Sequence, residues 1–269
     1  MRQFNGALFI RIVMHTFIYI VLLTIGIVSF SSQAIHLTTF RIHLDKEKPN
    51  TDFVVFNRDV TSQQCELSFK HYDFNETGQM LNYKSEELPS NSAVSWVRYS
   101  PRKFVLTPAN SQTIRFSMRR KANAEPAEYR SYLVIDCGAI ASDDKGRSSG
   151  SDNASISIQP KLLHNVPVIV RTGDVPVEVA FDKVTHNNDT IKFSINKSGL
   201  RSIYGKLELI DIRNNERIDG LNGESIYPET KSKHYQLSTK GIKAEHLLLR
   251  FTSDKQFGDD RIFEQKVIL

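Results

Sequence analysis

An all-β fold of two sandwiches in tandem is what this 269-residue sequence predicts. Three observations carry it. No amphipathic helix pattern of useful length follows residue 35. Apolar and polar residues instead alternate in short runs closed by Pro, Asn, Gly or charges, the signature of half-buried strands. The runs also fall into two series, separated by Thr172-Gly-Asp-Val-Pro176. The first series places strands at 35–44, 52–58, 63–71, 94–98, 103–107, 112–118, 129–137 and 154–171. The second places them at 177–184, 190–195, 203–212, 224–227, 233–238, 246–252 and 262–268. Seven or so strands in each half of roughly 100–140 residues fits immunoglobulin-like sandwiches. Each half is long enough to enclose its own core. The division is 1–34 leader, 35–172 first sandwich and 173–269 second sandwich.

The leader comes first. Arg2 and Arg11 precede an apolar run from Phe17 to Phe30, and Ser31-Ser-Gln-Ala34 supplies small residues for a cut after Ala34. This is signal-peptide anatomy. An uncleaved anchor is the alternative, since Ile12 to Phe30 is 19 residues broken only by one His and two Thr. Both readings send the remainder out of the cytoplasm. Of the 35 basic residues, Arg2 and Arg11 leave with the leader, so 33 face 30 acidic ones, a balance of +3. That balance, without a dense Lys/Arg block, is too weak to argue for nucleic acid, and none is expected as a partner.

Two cysteines follow, Cys65 and Cys137. Cys65 shares a strand face with Leu67 and Phe69, and Cys137 with Leu133 and Ile135, so both point inward. In an exported protein two such cysteines predict one disulfide; two buried thiols are the alternative. Two inserts interrupt the first series. Asp73 to Ser92 is polar and is expected as a surface loop. Ala139 to Asp152 is rich in Gly, Ser and Asp and is expected as a long flexible loop.

The run after that loop keeps one register. Ala154, Ile156, Ile158, Pro160, Leu162, Val166, Val168 and Val170 are all even, while 155, 157, 159, 161 and 165 are Ser, Ser, Gln, Lys and Asn. A single strand of that length would reach roughly 50 Å, more than one small sandwich covers. Part of its apolar face would then be free to pair elsewhere. A bent pair of shorter strands, broken at Pro160 or His164, is the other reading.

Catalytic chemistry finds no footing. The eight histidines are scattered, and no Cys/His cluster, Gly-x-Ser-x-Gly, phosphate loop or dinucleotide fingerprint occurs. Glu86-Glu87, Asp143-Asp144 and Asp259-Asp260 lie in polar loops and read as solvated turns. We expect no enzyme, metal, cofactor or small-molecule substrate.

The order of motifs in the first half is more specific than the fold class. It runs Trp96-Val-Arg-Tyr-Ser-Pro-Arg-Lys-Phe-Val-Leu-Thr-Pro108, then Ser111-Gln-Thr-Ile-Arg115-Phe, then Glu128-Tyr129-Arg130-Ser131-Tyr132-Leu133. A Ser-Pro turn, a Leu-x-Pro turn, a Gln-x-Ile-Arg strand and a Tyr-Arg-Ser-x-Leu strand in this order resemble the N-terminal domain of periplasmic pilus-assembly chaperones. Val166-Pro-Val-Ile-Val-Arg171-Thr-Gly173 resembles that domain's closing strand, and Gly199-Leu-Arg201-Ser202-Ile-Tyr204-Gly205 an element of some members' second domain. The resemblance covers about 35–269.

The resemblance implies a periplasmic protein that binds pilus subunits lacking a final strand, lends them its own, and delivers them to an outer-membrane usher. The donor residues would be Ala154, Ile156, Ile158 and Leu162. It also implies a basic anchor for the subunit's C-terminal carboxylate. Arg41 matches the family's first-strand Arg, with Phe40, Ile42 and Leu44 expected inward. Many members carry a Lys where this chain has Pro167, a departure for which Arg130 and Arg171 are candidate replacements. The competing reading is a tandem immunoglobulin-like surface or adhesion protein with a structural role.

Overall fold

The computed structural model describes residues 35–122, 124–140, 163–258 and 260–268. In the first half the strands are β1 (Ile35–Leu37), β2 (Ile42–Leu44), β3 (Asn50–Asn57), β4 (Gln63–Lys70), β5 (Tyr72–Phe74), β6 (Met80–Asn82), β7 (Val97–Ser100), β8 (Lys103–Leu106), β9 (Ser111–Met118), β10 (Ala127–Ala139) and β11 (Leu163–Thr172). In the second they are β12 (Val177–Asn187), β13 (Thr190–Gly199), β14 (Ile203–Asp211), β15 (Glu216–Ile226), β16 (Ser232–Ser238), β17 (Leu247–Ser253) and β18 (Ile262–Lys266).

The first half pairs its strands as β1-β3-β9-β7 and β2-β11-β10-β4-β8. In immunoglobulin lettering the first sheet is A-B-E-D, and β11-β10-β4 is G-F-C. The second half repeats the plan with β12-β13-β16 and β15-β14-β17-β18. Each half closes on its own apolar cluster. Phe53, Val55, Ile114, Leu133 and Ile135 fill the first, and Ile191, Ile195, Leu207, Leu249 and Phe251 the second. Fully burying each such side chain stabilises by about 1.5–3 kcal/mol. The fold class is as the sequence predicts: all-β, two tandem immunoglobulin-like sandwiches.

Several boundaries differ from the sequence reading. The expected strand 35–44 is two strands in two sheets, β1 antiparallel to β3 and β2 parallel to β11. The crossing turns Phe40 outward to 69% exposure, against the expectation that it faces the core, while Ile42 and Leu44 are buried. The run at 94–98 opens as a 3₁₀ turn, Val94–Trp96, because Trp96 must turn inward against Tyr129, 4.5 Å away between rings. The insert at 73–92 is not only loop: β5 and β6 form a separate two-stranded hairpin. Of the long even-numbered run, β11 starts at Leu163, and Val166, Val168 and Val170 are buried as expected. Ala154, Ile156, Ile158 and Leu162, with most of the 139–152 insert, lie outside the described residues.

The two cysteines form one disulfide between the neighbouring strands β4 and β10, where they stand directly opposite with Cα atoms 4.1 Å apart. The bridge closes a long loop, with a sequence separation of 72. Replacing both cysteines by Ala should therefore lower unfolding free energy by about 4 kcal/mol. Denaturant titration of the double variant beside the parent measures this. A loss well under 1 kcal/mol would show that the unfolded chain gains little freedom.

Candidate functional site

Alternation along β2, β10 and β11 puts one set of residues into the first core and leaves the other on the outer face of that sheet. The outer set is Arg41 and His43 at β2, Ile169 and Arg171 on β11, and Glu128, Arg130 and Tyr132 on β10. An outer face normally meets water. Here the second sandwich covers it: Arg41 and Arg130 are each 2% exposed, Arg171 6% and Ile169 0%. The three arginines singled out from the sequence thus come together at one junction. Arg41 and Arg171 both reach Ser202, and Arg41 and Arg130 both face the ring of Tyr227.

Their partners differ in kind. Arg130 makes a two-bond fork to Glu229, Nη1 to Oε2 at 3.0 Å and Nη2 to Oε1 at 2.9 Å. Its guanidinium lies between the rings of Phe74, at 4.8 Å, and Tyr227, at 4.2 Å. Arg171 donates from Nε to Glu128 at 2.8 Å and from its other nitrogens to the carbonyls of Ser202 and Gly258. Glu128 also accepts the Ser202 N–H at 3.1 Å. Burial pushes the Glu128 carboxyl up, but the Arg171 charge and the Ser202 bond outweigh it and hold the group below the usual carboxylate range.

Arg41 has only neutral partners. Nη1 donates to Ser225 Oγ at 3.3 Å and Nη2 to Ser202 Oγ at 3.0 Å, and the guanidinium faces Tyr204 at 4.7 Å. Among the described residues no carboxylate lies within ion-pair distance of it, and its Nε finds no acceptor. A cavity of about 180 Å³ opens beside it, lined by Thr39, Arg41, His43, Lys48, Gln256 and Phe257. His43 is held neutral. Burial first, then the charges of Arg171, Arg41 and Lys48, lower its imidazole to about 2.

The Gly199–Gly205 segment builds the opposing wall. A Cβ at Gly199, where φ is +91°, would come within 2.3 Å of the Pro176 carbonyl, and one at Gly205 within 1.9 Å of the Thr252 carbonyl. Both glycines are therefore required by close backbone approach. Between them Ser202 and Tyr204 meet the arginines.

Sequence reasoning missed Glu128, Glu229, Tyr227 and His43. Glu128 and Arg130 were legible as two charges at alternate positions of an otherwise apolar strand. Glu229 sits in the loop between β15 and β16 and carried no signal.

No family model matches the chain, and no curated protein matches it. Solved structures that it is similar to include chaperones, among them one of class 5 fimbriae. They include the Pseudomonas aeruginosa CupB2 chaperone, with TM-score 0.47 and 9% identity over 86% of this chain and 100% of that one. The E. coli chaperone DraB gives 0.46 and 14% over 88% and 97%. The Salmonella enterica SafB chaperone, solved with SafA pilin, gives 0.46 and 12% over 88% and 98%.

The low-lying Glu128 carboxyl has a consequence for acid stability. A group depressed in the folded state contributes stability above its unfolded value, about 4.3, and loses it as pH falls through the folded one. The Glu128→Gln variant should be less stable than the parent at pH 7, and the gap should narrow steadily below about pH 4. Melting temperatures of both proteins from pH 7 to pH 2.5 test this; parallel curves would rule out Glu128 as a source of the acid sensitivity.

Proposed function

We propose that the protein is a periplasmic chaperone for pilus subunits, binding them by donor-strand complementation and passing them to an outer-membrane usher. The motif order of the first half supports the reading. The observation that carries it is the asymmetry among the arginines. Glu229 and Glu128 neutralise Arg130 and Arg171 from within the chain, whereas Arg41 has only hydroxyls and rings. A guanidinium that lacks a carboxylate beside an open cavity suits the terminal carboxylate of a partner. Lys48 on the same cavity wall offers a second positive charge, in a chain where the family Lys is replaced by Pro167. Arg130 and Arg171 then hold the junction in shape while Arg41 anchors.

The edge of β11 supports strand donation. Pairing with β2 covers only Val168–Val170, so among the described residues Leu163–Pro167 have no strand on that side. An open edge is a template for another chain, and the residues just before it, Ala154, Ile156, Ile158 and Leu162, alternate in the way a subunit groove would need.

Two variants separate this reading from a surface structural role. Arg41→Ala should weaken capture of subunits by at least 30-fold, the loss of one partner of a desolvated charge pair costing about 2–5 kcal/mol. Arg41→Ala should still fold, since Ser202 and Ser225 are neutral and can rebond. Ile158→Asp should leave the melting temperature of the isolated protein nearly unchanged and abolish capture, because a charge would enter an apolar groove. Co-purification of small β-rich subunits from periplasm is the readout. A several-degree loss of melting temperature for Ile158→Asp would place Ile158 in an ordinary core and refute donation there.

A further inference from the structure

We propose that the β5–β6 hairpin is a strap that ties the first sandwich to the second and fixes the angle between them. The inference is independent of the chaperone reading. The backbone passes between the halves once, at Gly173–Pro176, where β11 ends and β12 begins. Gly173 has φ +64°, and a Cβ there would sit 2.9 Å from Pro126. A single linker leaves rotation about itself open. The hairpin supplies a second attachment, about a hundred residues earlier in the chain.

The hairpin belongs to neither sandwich sheet; β5 and β6 pair only with each other. Such a two-stranded ribbon is marginal alone in water. It does not serve the first core, because Met80 and Leu81 on β6 are exposed. Its root stays on the first half, where Tyr72 packs on Tyr132 with ring centroids 5.0 Å apart and its carbonyl accepts from Arg130 Nη2, and its tip reaches the second half. The Glu76 carbonyl accepts the N–H of Lys231 at 2.9 Å and of Ser232 at 3.0 Å, and its carboxylate pairs with the Lys231 ammonium. Phe74 packs on Tyr227 with ring centroids 4.5 Å apart.

The tip is shaped for that docking. Asn75 Oδ1 accepts from the Thr77 N–H, the Thr77 hydroxyl and the Gln79 N–H, which sets the turn. Gly78 then adopts φ +81° and lies so close to the second half that a Cβ would come within 3.2 Å of both Thr230 and Lys233. Tyr227, Glu229 and Thr230 form one short segment, so the strap also holds Glu229 in place over Arg130. Two backbone bonds, a ring contact and the buried fork to Arg130 are directional, and together with the linker they leave no free rotation.

The test uses the full-length protein and two variants. In the first, Glu76–Gln79 are replaced by one Gly, so that Asn75-Gly makes a two-residue turn between Phe74 and Met80. In the second, Gly78→Ile forces a branched side chain against Thr230 at positive φ. Hydrogen exchange should show Lys231 and Ser232 amides protected in the parent and at least 10-fold faster in both variants. Amides of the β4–β10 ladder should keep their rates, which certifies the fold. Solution X-ray scattering should show a larger radius of gyration for the variants. Should the shortened variant fail to fold, Gly78→Ile alone decides. Fast exchange at Lys231 and Ser232 in the parent, or variants with parental protection and radius, would overturn the proposal. Subunit capture is not read, so its failure and that of the strap stay separable.

Discussion

Three guanidinium groups buried on the outer face of a β-sheet set the terms for the rest of the structure. Removing an ion from water costs several kcal/mol unless its bonds are replaced. Arg130 and Arg171 project from the central strand β10 and its neighbour β11, and Arg41 from the first-strand crossing, positions that the core alone would tolerate as solvated. Once the second sandwich covers them, it must supply acceptors at fixed points: Ser202, Ser225, Glu229 and the carbonyls near Gly258. An apolar contact would allow the two halves to slide. Planar guanidinium forks facing fixed acceptors do not.

That constraint reaches into the backbone. Besides that of Ser202, the carbonyls that receive Arg171 are those of Phe257 and Gly258, at the end of a 3₁₀ turn, Lys255–Phe257, capped by Gly258 with φ +78°. A Cβ at Gly258 would stand 2.4 Å from the His43 ring. The neutral, unbonded His43 is thus a packing surface, and burial first, then the surrounding cations, keep it so. On the opposite wall Gly199 lets the end of β13 close on Pro176 and Gly205 lets β14 close on β17, while Ser202 and Tyr204 turn toward the arginines.

The junction divides labour by charge. Two arginines carry an internal carboxylate and serve as fixed joints. The third has only hydroxyl and aromatic neighbours, which stabilise a cation without neutralising it. The difference lies between residues of one type on one face of one sheet.

The strand pattern was determined by the sequence itself. Period-two alternation is a local property of side chains, so the inward positions of Cys65, Leu67, Leu133, Ile135, Val166, Val168 and Val170 were readable without any long-range information. The two series of strands, the disulfide and the arginines worth watching followed from the same alternation and from motif order. What alternation cannot say is what lies on the far side of a sheet. Glu229 reaches Arg130 from 99 residues away, and the polar insert at 73–92 folds onto Lys231 and Ser232. The crossing of residues 38–41 between sheets, which turned Phe40 outward, likewise depends on which strand β2 finds beside it. These pairings depend on which surfaces meet when two finished sandwiches pack, a three-dimensional event with no local pattern in the chain. Tertiary structure alone decided that an exposed-looking face of arginines is a buried junction.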